Sequence, residues 1–302
     1  AGSSPDGTLN GVAKDAGIIA VNIFSSFSPE ECDSDDPCVM SLTSDQISGL
    51  LYIYSLRSSY NIGAVNMSLG GGRYEDYCDE EDNYPSFLAL DLLREAGIPT
   101  SIASGNETFC GNVSSPACIS AGITVMASTR TDMEVKFSNW HSEVGDIFAP
   151  GQKIVSAVDS GDSDYEKWSG TSMAAPHVAG AMTLMRQVRP LDSPKEILSR
   201  LTERGKSITT PCPDSGSQNR LFVDNFHSTR EKAEMLFSKL ESQYPEILYP
   251  LPATTQVEDG YIYRHYSGKN VYLATYQENA FFVDEHGNIV ELGSVEDLVY
   301  FL

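Results

Sequence analysis

The stretch Ile62-Gly-Ala-Val-Asn-Met-Ser-Leu-Gly-Gly-Gly72 passes from a short apolar run into three consecutive glycines, and its reading decides the fold. Ile62 to Met67 has the length and composition of a strand bounded by turn-forming residues. Upstream, Ile47, Leu50, Leu51 and Tyr54 fall at i, i+3, i+4 and i+7 behind Ser44, which predicts an amphipathic helix with Ser44 as its cap. Ile18 to Phe24 reads as a strand ahead of that helix. Downstream, Ser86 to Ala96 has helical spacing, stopped by Gly97 and Pro99, and Thr100 to Ser104 reads as the next strand. The order is β-α-β-α-β, the signature of a parallel sheet with helices on both faces.

Further apolar runs follow at Ile123 to Ala127, Val135 to Ser138 and Ile154 to Val158. A helix then carries Ser172 and runs to about Val188, and another covers Pro194 to Glu203. After Phe226 the character changes. Thr229 to Tyr244 has helical spacing, Pro245 to Pro252 is rich in proline, and residues 261 to 292 alternate aromatic and polar residues in short strands. Ser294 and Asp297 can cap a last helix. The chain therefore divides into an α/β domain at 1–226 and a small α+β domain at 227–302.

Forty-two acidic residues against 20 basic ones give a net charge of −22 over 302 residues, which argues against a nucleic-acid partner. Acidic runs such as Glu75 to Asp82 read as solvated loops, with cation binding as the other reading. Six cysteines, Cys32, Cys38, Cys78, Cys110, Cys118 and Cys212, form no Cys-x-x-Cys pair, and no His-Glu-x-x-His occurs, so no zinc site is expected. Their even number in a polar, acidic chain points to disulfides and an oxidising compartment, with reduced thiols as the alternative. Cys32 and Cys38 could close a short loop; the remaining connectivity is open. No run of about 18 apolar residues predicts a membrane span.

Several motifs drop out. Gly205-Lys-Ser207 lacks the glycine five positions earlier that a phosphate-binding loop needs, since that position is Arg200. No Gly-x-Ser-x-Gly elbow surrounds any serine. Three segments remain at strand exits or a helix start, where α/β sheets place their sites: Asn66-Met-Ser-Leu-Gly-Gly-Gly72, Ile102-Ala-Ser-Gly-Asn106 and Ser169-Gly-Thr-Ser-Met-Ala-Ala-Pro176. The last holds Ser172 and His177. On a helix, five residues turn the chain by about 500°, leaving His177 about 140° around from Ser172 and about 7.5 Å along the axis. The two point apart, so His177 belongs to the scaffold. Pro176 is expected near the first turn, where its missing N–H costs little.

Together these segments resemble the subtilase family of serine endopeptidases. Gly170-Thr-Ser-Met-Ala-Ala-Pro176 is similar to the family's nucleophile motif, Asn66-Met-Ser-Leu-Gly70 to its substrate-strand motif and Ala103-Ser-Gly-Asn106 to its oxyanion motif, in the family's order. The resemblance covers about residues 1 to 226 and includes Phe137-Ser-Asn139 and Ala149-Pro-Gly151. It implies that Ser172 is the nucleophile and that the Asn106 amide joins the Ser172 backbone N–H in an oxyanion hole. Ser68, Leu69, Gly70 and Gly71 with Ala103, Ser104 and Gly105 would flank an extended substrate and wall its specificity pocket. It further implies protein or peptide substrates, no cofactor for the chemistry, structural calcium without assignable ligands, a monomer, and a secreted, extracellular or periplasmic setting of bacterial type.

The family orders its triad Asp, His, Ser, and the first two members would lie upstream of Ala1-Gly2. The chain is therefore expected to be a fragment with little peptidase activity alone. His141 is expected on the surface, and His227, His265 and His286 belong to the tail or its boundary. The alternative is a non-catalytic pseudoprotease or protein-binding module on the same fold, against which the retained Ser172 and Asn106 argue. The tail, from Tyr261-Ile-Tyr-Arg-His-Tyr266, is similar to small carboxy-terminal modules of secreted bacterial proteins, which implies no activity.

Overall fold

The computed structural model describes residues 2–4, 7, 9–32, 35–158, 164–203, 205–209, 212, 217–221 and 237, and the backbone of five strands between 255 and 294. Two units separate by their internal contacts, Ala1–Asp224 and Asn225–Leu302.

The first unit is built on four parallel strands in the order β3 (Val65–Met67), β5 (Thr100–Ala103), β7 (Ile123–Ser128) and β8 (Ile147–Pro150). β5 and β7 are buried along their whole length, as strands covered on both faces must be. One face meets α1 (Thr43–Leu56) and α2 (Tyr84–Glu95), where Leu50, Leu90 and Leu93 pack with Val65, Met67 and Ile102. Side chains alternate along a strand, so Ser101 and Ala103 point the other way, to the face covered by α3 (Thr171–Val188). α3 buries Ala174, Ala175, Val178 and Ala181, and these small side chains let a helix lie close to the sheet. α4 (Pro194–Glu203) packs beside α3.

Several expectations change. Ile18 to Phe24 forms no strand; the first paired strands among the described residues are β1 (Ser25–Phe27) and β2 (Cys38–Met40), and Ile18 is 77% exposed. Ser44 is not the cap of α1: Leu42 is, without a side-chain bond, and Ser44 lies inside the first turn. Val135 to Ser138 forms a turn instead of a strand. Ile154 to Val158 belongs to no parallel sheet; β9 (Ile154–Ala157) forms an antiparallel hairpin with β10 (Tyr165–Trp168). β4 (Gly71–Tyr74) pairs antiparallel with β6 (Val113–Ser115) beside the main sheet, and β11 (Ser207–Thr209) pairs with β12 (Ser217–Asn219).

The cysteines form three disulfides, Cys32–Cys38, Cys78–Cys118 and Cys110–Cys212. In the second unit five strands, β13 (Thr255–Glu258), β14 (Tyr261–Tyr266), β15 (Val271–Tyr276), β16 (Asn279–Val283) and β17 (Ile289–Ser294), form an antiparallel meander in sequence order. The helices expected at Thr229 to Tyr244 and after Ser294 lie outside the described residues.

Asp146 opens β8 at the end of the sheet opposite the strand exits. Its backbone N–H donates to Thr124 O, and its carboxylate accepts the Thr124 N–H at 2.7 Å. Burial pushes its pKa up to about 7, against the smaller lowering effect of the Thr124 bond, although part of the residue's surface still meets solvent. A carboxyl with a raised folded-state pKa binds its proton more tightly in the folded protein. Its contribution to stability is present near pH 4 and is lost as pH rises to about 7. Asp146→Asn keeps the acceptor oxygen without the charge. Thermal melts are expected to match wild type at pH 4 and to run about 2–4 °C higher at pH 8, an effect of about 1 kcal/mol after allowance for solvent screening. Equal melting temperatures at both pH values would contradict this.

Candidate active site

Three chain segments meet at the carboxyl ends of β3 and β5. The first leaves β3 through Ser68, Leu69 and Gly70 and enters β4 at Gly71. Gly70 faces Ser114 and Ser115, where a Cβ would come within 3.1 Å of the Ser115 carbonyl, so this glycine permits close packing of two loops. Gly71 opens on free space, with nothing within 4 Å of where a Cβ would stand.

The second segment leaves β5 through Ser104, Gly105 and Asn106. Ala103, Ser104 and Gly105 are buried, and the backbone groups of the last two are occupied. Ser104 N–H donates to Val125 O, Ser104 O accepts from Ser114 N–H, and Gly105 N–H donates to the Thr171 hydroxyl at 3.2 Å. The backbone of Ser104 and Gly105 is therefore taken, and 103–105 present a closed wall beside Ser68–Gly71.

The third segment is the start of α3. Asn106 is exposed, and its Oδ1 accepts from Thr171 N–H at 2.8 Å and from the Thr171 hydroxyl at 3.1 Å. With Oδ1 taken, the Nδ2 donors face away from Thr171, which fixes the polarity of the carboxamide at the residue beside Ser172. Thr171 itself is fully buried, and the sequence alone singled it out only as part of the motif. The N-terminus of α3 adds its positive dipole end to the same place, with the Thr171 N–H held by Asn106 and the Met173 N–H by Gly170 O.

Pro176 is the sixth residue of α3, one turn deeper than expected. A residue there would donate to the carbonyl four positions back, that of Ser172, and proline cannot. The Ser68 hydroxyl donates to Ser172 O at 2.7 Å instead. Ser172 Oγ in turn lies 3.5 Å from Ser68 O, the edge of hydrogen-bond range. Ser172 and Ser68, which follows β3, are thus joined by one hydrogen bond and a second, longer contact.

His177 is turned away. Its Nδ1 lies 2.8 Å from Met173 O and carries the ring proton there, and burial pushes its pKa down, helped by Arg220. His141 is not on the surface. It is buried, and its Nδ1 accepts the N–H groups of Glu143 and Val144 at 3.1 and 3.0 Å, which turns a polar ring into a loop anchor. Neither ring is bonded to Ser172. His227 and His286 lie outside the described residues, and His265 is described only as a position on β14.

Asn139 was legible only as part of Phe137-Ser-Asn139. In the fold it is completely buried and bonded to the 104–109 segment from several sides. Its Oδ1 accepts from the N–H groups of Glu107 and Phe109, both at 3.0 Å. Its Nδ2 lies 3.1 Å from Ser104 O and 2.6 Å from Glu107 Oε2, and its own N–H donates to Gly105 O.

Residues 1–221 match the sequence pattern of the subtilase family, Peptidase S8. The chain belongs to the subtilase family. This subtilase is 35% identical over 224 residues to subtilisin-like protease 4 of Arthroderma gypseum, an alignment covering 72% of this chain and 49% of that protein. It is 34% identical over 215 residues to alkaline serine exoprotease A of Vibrio alginolyticus, covering 71% and 35%. The crystal structure of a cold adapted subtilisin-like serine proteinase superposes with a TM-score of 0.48 at 31% identity, covering 61% of this chain and 63% of that one. This subtilase spans about half the length, or less, of the curated relatives it matches.

Proposed function

We propose that the protein is a serine endopeptidase in which Ser172 is the nucleophile and Asn106 an oxyanion donor. The observation that carries the reading is the Asn106 carboxamide, held at Thr171 with Oδ1 occupied and its donors free, next to a serine at a helix N-terminus. In the reaction the Ser172 Oγ–H bond breaks, its proton passes to the family's histidine base, and Oγ bonds to the substrate carbonyl carbon. The carbonyl electrons move onto oxygen, where Asn106 Nδ2–H and the Ser172 N–H receive the charge. Collapse breaks the C–N bond, the amine leaves with the proton, and water releases the acyl group by the same steps in reverse roles. Neither His141 nor His177 is placed to supply the base.

Substrates are proteins or peptides held in extended form along Ser68, Leu69, Gly70 and Gly71, with Ala103, Ser104 and Gly105 as a wall. No cofactor enters the chemistry. Structural calcium would suit the acidic loops by charge, but the described residues hold no group of three or more His, Cys, Asp or Glu placed for a metal, and no step runs through one. Three disulfides support an oxidising, extracellular setting, and no described helix is long and apolar enough to cross a membrane. The protein acts as a monomer, with the peptidase domain at 1–226 and a separate domain at 227–302.

The reading is tested with a fluorophosphonate probe on the full-length protein. The probe is expected to attach to the proteolytic peptide that contains Ser172. A folded protein that takes no label there would point to the binding-module alternative.

A further inference from the structure

We infer that Asn139 is a positioning residue for catalysis, acting on the reacting oxygen only through Asn106. The inference rests on the oxyanion role proposed for Asn106. An exposed side chain on a loop has no packing to hold it, yet an oxyanion donor loses its effect when displaced by a fraction of an ångström. Thr171 fixes the tip of Asn106; the backbone beneath the tip must be fixed by something else.

Asn139 meets that need on both flanks of Asn106. Before it, Asn139 bonds Ser104 O through Nδ2 and Gly105 O through its own N–H, and Ser104 Oγ donates to Asn139 O at 3.0 Å. After it, Asn139 Oδ1 takes the N–H groups of Glu107 and Phe109, and Nδ2 reaches the Glu107 carboxylate. The amide has an acceptor facing two donors and donors facing acceptors, so only one orientation satisfies it, and complete burial leaves no water to replace a lost partner. Gly105, at φ 110°, is the point where the loop passes closest: a Cβ there would collide with Asn139 Nδ2, Ser114 Oγ and Glu107 Oε2. The pocket that holds Asn139 is therefore shaped by the glycine directly before Asn106.

Asn139→Asp is the sharpest test because it keeps size and both acceptor bonds while setting a carboxylate oxygen against Ser104 O and the Glu107 carboxylate. kcat and KM for one peptide substrate, with melting temperatures, are measured in the full-length protein for wild type, Asn106→Ala, Asn139→Asp and the double variant. Asn139→Asp is expected to lower kcat about 10- to 100-fold with KM within about two-fold, and to cost nothing further once Asn106 is alanine. A purely structural role would lower kcat equally in both backgrounds, and that additivity would overturn the inference. So would a loss confined to KM. Where Asn139→Asp does not fold, Glu107→Ala removes one acceptor from an exposed residue and is expected to lower kcat about 3- to 10-fold, again only while Asn106 is present. The oxyanion reading fails separately, and this inference with it, if Asn106→Ala alone leaves kcat unchanged.

Discussion

Asn106→Ala is expected to lower kcat of the full-length protein by about 10²–10³ while KM and melting temperature stay near wild type. The magnitude is that of the corresponding amide in subtilisin, a member of the same family, and is carried over from it. What the structure adds is the reason stability should be spared. Asn106 is exposed, and its carboxamide oxygen is one of the partners of Thr171, whose hydroxyl also accepts from Gly105 N–H. Truncation takes the acceptor from both the N–H and the hydroxyl of the buried Thr171, and water entering from the exposed Asn106 position replaces it, which holds the stability cost to about 1 kcal/mol. The loss therefore falls on the transition state, because the donor strengthens only as charge moves onto the substrate oxygen. A variant with full kcat would remove Asn106 from the mechanism. One that loses activity only by unfolding would make it a structural turn residue.

The largest effect on stability is expected for Cys110→Ala with Cys212→Ala. This disulfide joins residues 102 apart, so its loss releases a long loop in the unfolded chain, worth about 4–5 kcal/mol in the chain-entropy description. Cys212 also packs with Met126, Trp140, Phe148 and Ile208, so the change leaves a gap in the core at the β7–β8 side of the sheet. A fall of about 10–15 °C in melting temperature is expected. The Cys32–Cys38 pair, only six residues apart, should cost about 2 kcal/mol when removed in the same way. The two double variants, compared by thermal melts, separate loop length from other effects: equal losses would show that chain entropy does not govern these bonds.

Of the expected β-α-β-α-β frame, the part from α1 to β5 was legible because β5 is buried on both faces and α1 and α2 each bury one stripe, patterns that survive in a single sequence. Apolar content without a partner was misleading. Ile18 to Phe24 has every local property of a strand, but a strand forms only beside another, and no described strand pairs with it. The reverse holds for β8, which was read only as Ala149-Pro-Gly151: four residues ending in proline carry little signal, though β7 pairs with all of them. At the site, Ser172 and Asn106 were legible because their short motifs keep reactive and turn-forming residues contiguous. Asn139 was not, since the partners of its side chain lie between 25 and 35 residues away and nothing in the intervening chain records the contact. The buried state of His141 was hidden for a similar reason: two backbone N–H groups satisfy it, and backbone donors leave no trace in residue identity.

The mutual contacts of Ser68 and Ser172 bear on how the site comes into being. They join residues 104 apart, and Asn106 reaches Thr171 across 65. Closing contacts so distant along the chain costs more loop entropy than closing local ones. A partly made chain can hold the serine, or the strand beside which a substrate would lie, but not both in register. The candidate site is therefore a product of the whole fold and of no single segment.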